Sequence, residues 1–146
     1  MKRVVRMVAM ATAALALLVG CEKDDQRVAP DKLPEQAQTF LAEEFPNATV
    51  SSVVKDYDDG THTYKVRLSD GTYVEFRMNG EWKEVENRVA GVPEGVIPVK
   101  IWSYLQTNYP DNFVVDIERE RHYDVELNND LDLEFSLDGD FIRIDL

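Results

Sequence analysis

Two stretches of the chain place apolar residues at the three- and four-residue spacing of one helix face. Each stretch starts beside a proline, which the first turn of a helix tolerates because its amide has no helical partner there. Each is followed by a second proline, in Phe45-Pro46 and in Tyr109-Pro110, which stops the helix. The pattern therefore predicts two helices. Their apolar positions are Ala37, Phe40, Leu41 and Phe45 in the first and Ile101, Tyr104, Leu105 and Tyr109 in the second.

Segments that alternate between apolar and polar residues follow each predicted helix, and a period of two is typical of strands with one buried face. Tight turns such as Asp70-Gly71 and Asn79-Gly80 separate these segments. The pattern predicts four strands after each helix. They are 49–57, 64–68, 73–78 and 81–87 after the first helix, and 113–119, 123–127, 131–137 and 141–146 after the second.

The two stretches match in order, spacing and turns, which predicts two copies of one unit, 32–89 and 96–146, in one domain at 32–146. The predicted fold class is α+β, a tandem repeat of helix plus four-stranded antiparallel sheet. One helix over four strands buries little surface alone, so the copies are expected to pack side by side into an eight-stranded antiparallel sheet, with both helices on one face and the other face open. Phe76 and Phe135 hold equivalent positions and are both predicted to be buried.

The amino terminus has the features of an export signal. Lys2, Arg3 and Arg6 precede an uncharged apolar run at 7–20, which is shorter than the roughly 20 residues of a membrane-spanning helix. The run ends in Leu18-Val19-Gly20-Cys21, which resembles the lipobox of bacterial lipoproteins. We therefore predict a signal peptide at 1–20 and lipidation of Cys21, an ordinary secretory signal being the alternative.

A polar segment at 21–31 that includes Pro30 is predicted to be a flexible tether between lipid and domain. The expected location is thus the bacterial cell envelope, as a membrane-anchored lipoprotein of the outer membrane. Lys23-Asp24-Asp25 also resembles an acidic signal for export to the cell surface. A solvated charge run explains these residues equally well, so the periplasmic side and the cell surface both stay open.

Charge and cysteine content narrow the partners. The formal net charge is −12, and it becomes −15 once Lys2, Arg3 and Arg6 leave with the signal peptide. Such an acidic protein repels nucleic acid and anionic lipid. Cys21 is the only cysteine, so no intramolecular disulfide is available and the domain depends on its apolar core.

The order of motifs resembles a known family. Leu-Pro, a helix, Phe-Pro-Asn, paired strands and the stretches Asn79-Gly80-Glu81-Trp82 and Val96-Ile97-Pro98 are similar to those of the PepSY-like, β-lactamase-inhibitor-like family of bacterial lipoproteins. The resemblance covers about 31–146. It implies the fold of β-lactamase inhibitory protein, and it implies no particular activity.

The sequence carries no recognisable catalytic or cofactor motif, so a non-enzymatic protein without cofactor is expected. His62 and His122 lack a nucleophile at a familiar spacing. Asp56-Tyr57-Asp58-Asp59-Gly60 has some likeness to a calcium loop but lacks the distal Glu of an EF-hand. No metal ligand is therefore predicted, and binding of calcium elsewhere is left open.

The predicted open face suggests binding of an envelope protein or peptide, with inhibition as one form of it. Aromatic residues and arginines concentrate binding energy in such faces, which selects Arg67, Tyr73, Arg77 and Trp82 as partner-binding residues. A solvated face with Trp82 in the core is the simpler alternative. Capture of a ligand or glycan at the surface, and a structural or stress role in the envelope, are the other candidate functions.

Overall fold

The computed structural model describes residues 25–58 and 60–145. The predicted signal peptide and Cys21 lie outside these residues. Within these residues there are nine strands, two α-helices and two single 3-10 turns. In chain order these are β1 (Gln26–Arg27), a 3-10 turn (Pro30–Lys32), α1 (Glu35–Glu44), β2 (Val50–Asp58), β3 (Thr61–Leu68), β4 (Tyr73–Arg77), β5 (Trp82–Glu86), a 3-10 turn (Glu94–Val96), α2 (Val99–Asn108), β6 (Val114–Arg119), β7 (Tyr123–Leu127), β8 (Asp132–Phe135) and β9 (Phe141–Asp145).

All nine strands belong to one antiparallel sheet, in which each strand pairs with its neighbours in sequence from β1 to β9. The predicted fold class, an α+β tandem repeat of helix plus four-stranded sheet, is therefore wrong. The sheet has nine strands instead of the expected eight, and it does not divide into two four-stranded units, because β5 hydrogen-bonds to β6 and leaves no unpaired edge at the middle of the molecule. The protein is mostly sheet, with two short helices of ten residues each.

The ninth strand comes from the segment that the sequence analysis predicts to be a flexible tether. Gln26 and Arg27 pair with Lys55 and Val54 on the outer edge of β2. Val28 continues this contact by donating its backbone N–H to the carbonyl of Val53 at 3.1 Å. The chain is thus attached to the sheet before the first helix begins.

Both helices cover the same face of the sheet, hereafter the helix face. Ala37 and Leu41 of α1 and Ile101 and Leu105 of α2 are buried against it, as the helical periodicity predicts. Phe76 and Phe135 are both 0% exposed, which confirms the prediction that they are equally buried. Among the described residues, no helix combines the length and the apolar content needed to cross a membrane.

A β-bulge in β5 determines which side chains reach each face. Trp82 pairs with Phe76 and Glu84 pairs with Glu75, so Lys83 is the extra residue. Trp82 consequently shares the helix face with Phe76, whereas Glu84 shares the opposite, open face with Glu75. The bulge therefore separates the aromatic side chain from the charged side chains of the same strand.

Candidate functional site: an acidic sheet face and an aromatic cleft

The open face of the sheet carries two rows of side chains that run across the strands from β3 to β9. Strand pairing fixes the members of each row, because directly paired residues point to the same face. Ten of the fourteen side chains are carboxylates. The first row is Lys65, Glu75, Glu84, Glu118, Asp124, Glu134 and Arg143, and the second is Arg67, Tyr73, Glu86, Asp116, Glu126, Asp132 and Asp145. We call these two rows the acidic face.

Like charges directly opposite one another destabilise a sheet, and the acidic face contains several such pairs in succession. Glu84 is paired with Glu118, and Glu118 is paired with Asp124. In the second row Glu86 is paired with Asp116. The buried helix face stabilises these strands, and the carboxylates on their other side oppose that stability.

Three cations neutralise part of the acidic face. Lys83 lies 3.1–3.7 Å from carboxylate oxygens of Glu75, Glu118 and Glu120. Arg88 donates two hydrogen bonds to Glu126, at 2.8 and 2.7 Å, and one to Glu86. The third, Arg143, is bound to Glu134.

Three carboxylates of the acidic face, Glu84, Asp116 and Asp132, form no hydrogen bond or ion pair with any of the described residues. Desolvation raises the pKa of all three, and neighbouring carboxylates raise it further. The effect is greatest for Asp116, whose pKa rises to about 7. Its Oδ1 atom is buried without a hydrogen-bond partner in the described chain. Together with Asp145, which likewise has no ion pair among the described residues, these three residues form the part of the face whose carboxylates have no bound cation.

Of the predicted partner-binding residues, Arg67, Tyr73 and Arg77 lie on the open face by strand register. The Arg67 guanidinium lies 5.2 Å from the centre of the Tyr73 ring, a cation–π contact. The Tyr73 hydroxyl donates a hydrogen bond to Glu75 at 3.2 Å, and burial raises the pKa of this phenol. The two side chains thus form an aromatic, cationic end to the second row.

The guanidinium of Arg77 is used inside the fold. It donates hydrogen bonds to the backbone carbonyls of Trp82, at 3.1 Å, and of Arg119. These bonds link β4 to the end of β6, across the middle of the sheet. Arg77 is therefore a structural link between the two halves of the molecule.

Trp82 lies on the helix face, and its predicted placement with the open-face residues is wrong because the bulge at Lys83 shifts the alternation. Its ring stacks on Phe40 of α1 with centroids 6.5 Å apart, and it lies 6.2 Å from the ring of Tyr123. Trp82 is nevertheless only partly buried. It reaches the surface in a cleft on this face.

That cleft, hereafter the Trp82 cleft, has a volume of about 620 Å³ and lies between α1 and the strands β5 and β6. Its lining residues are Glu35, Gln36, Thr39, Phe40, Glu43, Gly80, Glu81, Trp82 and Arg119. Sequence analysis misses this site, although Glu35, Thr39 and Glu43 recur every four residues and so share one polar edge of α1. The acidic residues of β6 are missed for another reason, since predicted strand 113–119 has no clear alternation.

The described carboxylates do not form a metal-binding cluster. Within 25–58 and 60–145, no three Asp, Glu, His or Cys side chains converge closely enough to hold a metal ion. The carboxylates of the acidic face are spread along two rows instead of being gathered around a point. This arrangement is suited to an extended cationic partner.

Comparison with known proteins identifies a family model and several solved structures that are similar to the chain. The model of a family described as "putative beta-lactamase-inhibitor-like, PepSY-like" matches residues 62–143. No curated protein matches the chain.

Solved structures from two Bacteroides species have the same fold. A protein of Bacteroides thetaiotaomicron, described as a "putative calcium-regulated periplasmic protein", superposes with a TM-score of 0.80 and 35% identity, over 84% of this chain and 98% of its own. Two proteins of Bacteroides vulgatus, both described as "putative periplasmic" proteins, have TM-scores of 0.79. One is 35% identical over 87% of this chain and 100% of its own, and the other is 32% identical over 84% and 99%.

Proposed function

This chain belongs to the PepSY-like family, whose solved relatives are described as periplasmic, and we propose that it is a non-enzymatic binding protein whose acidic face takes a basic segment of an envelope protein or peptide. The observation that carries the proposal is that the carboxylates of Glu84, Asp116 and Asp132 have no bound cation among the described residues. A segment rich in lysine or arginine would supply the missing positive charges and would relieve the repulsion between neighbouring strands.

The geometry of the two rows fits an extended partner. Neighbouring strands of a sheet lie about 4.8 Å apart, so carboxylates recur along each row at close to that spacing. A partner that crosses the strands places successive basic side chains over successive carboxylates. The long-range attraction of an acidic surface also speeds the encounter with such a partner.

Arg67 and Tyr73 extend the proposed surface at the end of the second row. Tyrosine and arginine are enriched among the residues that contribute most to protein–protein affinity. Because the Arg67 guanidinium stacks on the Tyr73 ring, the two side chains offer a flat contact surface with hydrogen-bond donors at its rim. We expect Tyr73→Ala to weaken partner binding.

The test uses residues 22–146, which contain every helix and strand described above, and a hexalysine peptide as probe. The affected variant combines Glu84→Gln, Asp116→Asn and Asp132→Asn. A matched control combines Glu94→Gln, Asp111→Asn and Asp138→Asn, three exposed carboxylates outside both the acidic face and the Trp82 cleft, and it removes the same amount of charge. Calorimetry at low salt should show at least about tenfold weaker binding for the first variant and less than about threefold for the control. Equal losses in both variants would mean attraction to net charge alone and would overturn the proposal.

Calcium enters this experiment as a competitor. One relative is described as calcium-regulated, whereas the residues described here hold no converging metal-ligand group. We expect calcium chloride to weaken hexalysine binding no more than sodium chloride does at the same ionic strength. A specific effect of calcium on the wild-type protein would indicate that the acidic face takes the ion as well.

The biological partner requires capture from envelope extracts with the same two variants. Proteins retained by the wild type and by the control variant, and lost with the acidic-face variant, are candidate partners. A glycan array separates the alternative function, because neutral glycans do not depend on the three carboxylates. Binding of a glycan that survives in the acidic-face variant would favour the alternative.

We further propose that the protein is held at the membrane through lipid on Cys21. The support is Leu18-Val19-Gly20-Cys21 directly after an apolar run that is too short to span a bilayer. Two or more acyl chains on one residue make such an anchor stable. Cys21→Ala should leave uncleaved precursor without fatty-acid label, as measured by metabolic labelling with a palmitate analogue. Normal processing and labelling of that variant would contradict the anchor.

A further inference from the structure

We propose that the Trp82 cleft is a second binding site, which takes a single basic side chain, lysine or arginine, of a peptide ligand. It lies on the helix face, on the side of the sheet opposite the acidic face. It therefore goes beyond the function proposed above, and either site can fail without the other.

The floor of the cleft is aromatic. Trp82 and Phe40 both line the cleft, and their rings stack with an angle of 29° between the ring planes. Phe40 is held in turn by an edge-to-face contact with the buried ring of Phe76, with centroids 5.7 Å apart. Indole is the aromatic group that attracts a cation most strongly. The floor is therefore both apolar and suited to a cation.

Charged side chains line the rim of the cleft. Glu35, Glu43 and Glu81 line the cleft together with a single cation, Arg119. None of these four side chains forms a hydrogen bond or ion pair with another described residue. Three carboxylates against one guanidinium favour a positively charged ligand, and the Arg119 side chain is placed to donate hydrogen bonds to a carbonyl or carboxylate of the ligand's backbone.

The walls of the cleft are set by close packing. Gly80 has a φ of +91°, and a Cβ at this position would lie 2.9 Å from Cβ of Pro34. The turn that carries Glu81 is thus pressed against the start of α1, which carries Glu35. Arg77 fixes the other wall through its bonds to the carbonyls of Trp82 and Arg119. The site is preformed, so a ligand does not have to order it.

The experiment follows the indole N–H signals of residues 22–146 by NMR during titration with Nα-acetyl-lysine methylamide. Trp82 and Trp102 are the two tryptophans, and Trp102→Phe assigns their signals. We expect the Trp82 signal to shift with saturation, and Nα-acetyl-norleucine methylamide, which lacks the ammonium group, to leave it unchanged. The combined Glu35→Gln, Glu43→Gln and Glu81→Gln variant should bind at least about fivefold more weakly.

The acidic-face variant is the control and should titrate like the wild type. Three results would overturn the proposal: a lysine-induced shift that the cleft variant keeps, an equal shift with the norleucine compound, or a Trp82 shift only with neutral sugars. The last result would assign the cleft to glycans. Trp82→Phe keeps an aromatic floor and should bind lysine more weakly than the wild type. Because this variant lacks the indole signal, its binding is measured from the backbone amide signal of Glu81.

Discussion

Asp56 and Asp116 lie on the same open face of the sheet, and their surroundings move their pKa values in opposite directions. Asp56 of β2 is bound to Lys65, which is the main cause of lowering its pKa to about 2. Burial and four neighbouring carboxylates raise the pKa of Asp116 of β6 to about 7. In the N-terminal half of the face Asp56 is paired with a lysine, whereas carboxylates outnumber cations on β5–β9 and Asp116 lies among them. The comparison teaches that charge at Asp56 stabilises the fold and charge at Asp116 opposes it.

The core on the helix face shows no such contrast between the two halves. Substitutions in this core are expected to have the largest effect on the free energy of unfolding. Phe76 and Phe135 are both fully buried, and each is contacted by an aromatic ring of a different helix, Phe40 or Tyr104. Phe76→Ala and Phe135→Ala should each lower the free energy of unfolding by about 3–5 kcal/mol. Denaturant titration of the two variants measures this. A difference of more than about 2 kcal/mol between them would show that the two halves are packed unequally.

Loss of the ion pair between Asp56 and Lys65 is expected to have the next largest effect on the free energy of unfolding. Asp56 is 3% exposed and also accepts the backbone N–H of Tyr57 at 2.8 Å. Asp56→Ala should lower the free energy of unfolding by about 2–3 kcal/mol at pH 7, because Lys65 and this N–H lose a charged acceptor. The folded-state pKa lies below the ordinary value of 3.8, so the stabilisation should be lost as the pH falls from about 4 to about 2.

Urea titrations of the wild type and of Asp56→Ala at pH 7 and pH 2.5 test this dependence. Their difference should shrink at the lower pH. Lys55→Ala serves as a control on the same strand, because Lys55 has no ion pair among the described residues and lies on the helix-side register of Tyr64. A difference between the wild type and Asp56→Ala that stays constant with pH would mean that packing, and not charge, makes Asp56 important.

Sequence patterns predict the helices and most strands here because their periodicity is set by a single buried face. Ala37, Leu41, Ile101 and Leu105 are buried as predicted. One continuous sheet follows from the expectation that the two copies pack side by side, but the ninth strand does not, since Gln26–Arg27 lies in a polar segment without alternation and pairs with β2 through its backbone. The bulge at Lys83 is equally hidden, and it moves Trp82 to the other face. One extra residue in β5 is therefore enough to move one of the four predicted partner-binding residues to the other face of the sheet.

The smallest expected change in the free energy of unfolding is at Asp116. It distinguishes Asp116 from Asp56 most clearly, because the change has the opposite sign. Asp116→Asn removes a half-buried charge that has four carboxylates around it, and it should raise the free energy of unfolding by about 1–2 kcal/mol at pH 8. The folded-state pKa of about 7 exceeds the ordinary 3.8, so between these values the folded protein holds a proton that the unfolded chain has released. Wild-type stability should therefore fall as the pH rises from about 4 to about 7, and the variant should lack this part of the fall. Denaturant titrations at pH 4.5 and pH 8 measure the two limits. If Asp116→Asn destabilised the protein at both pH values, Asp116 would have to be a pairing residue like Asp56, and the distinction between the two halves of the face would be lost.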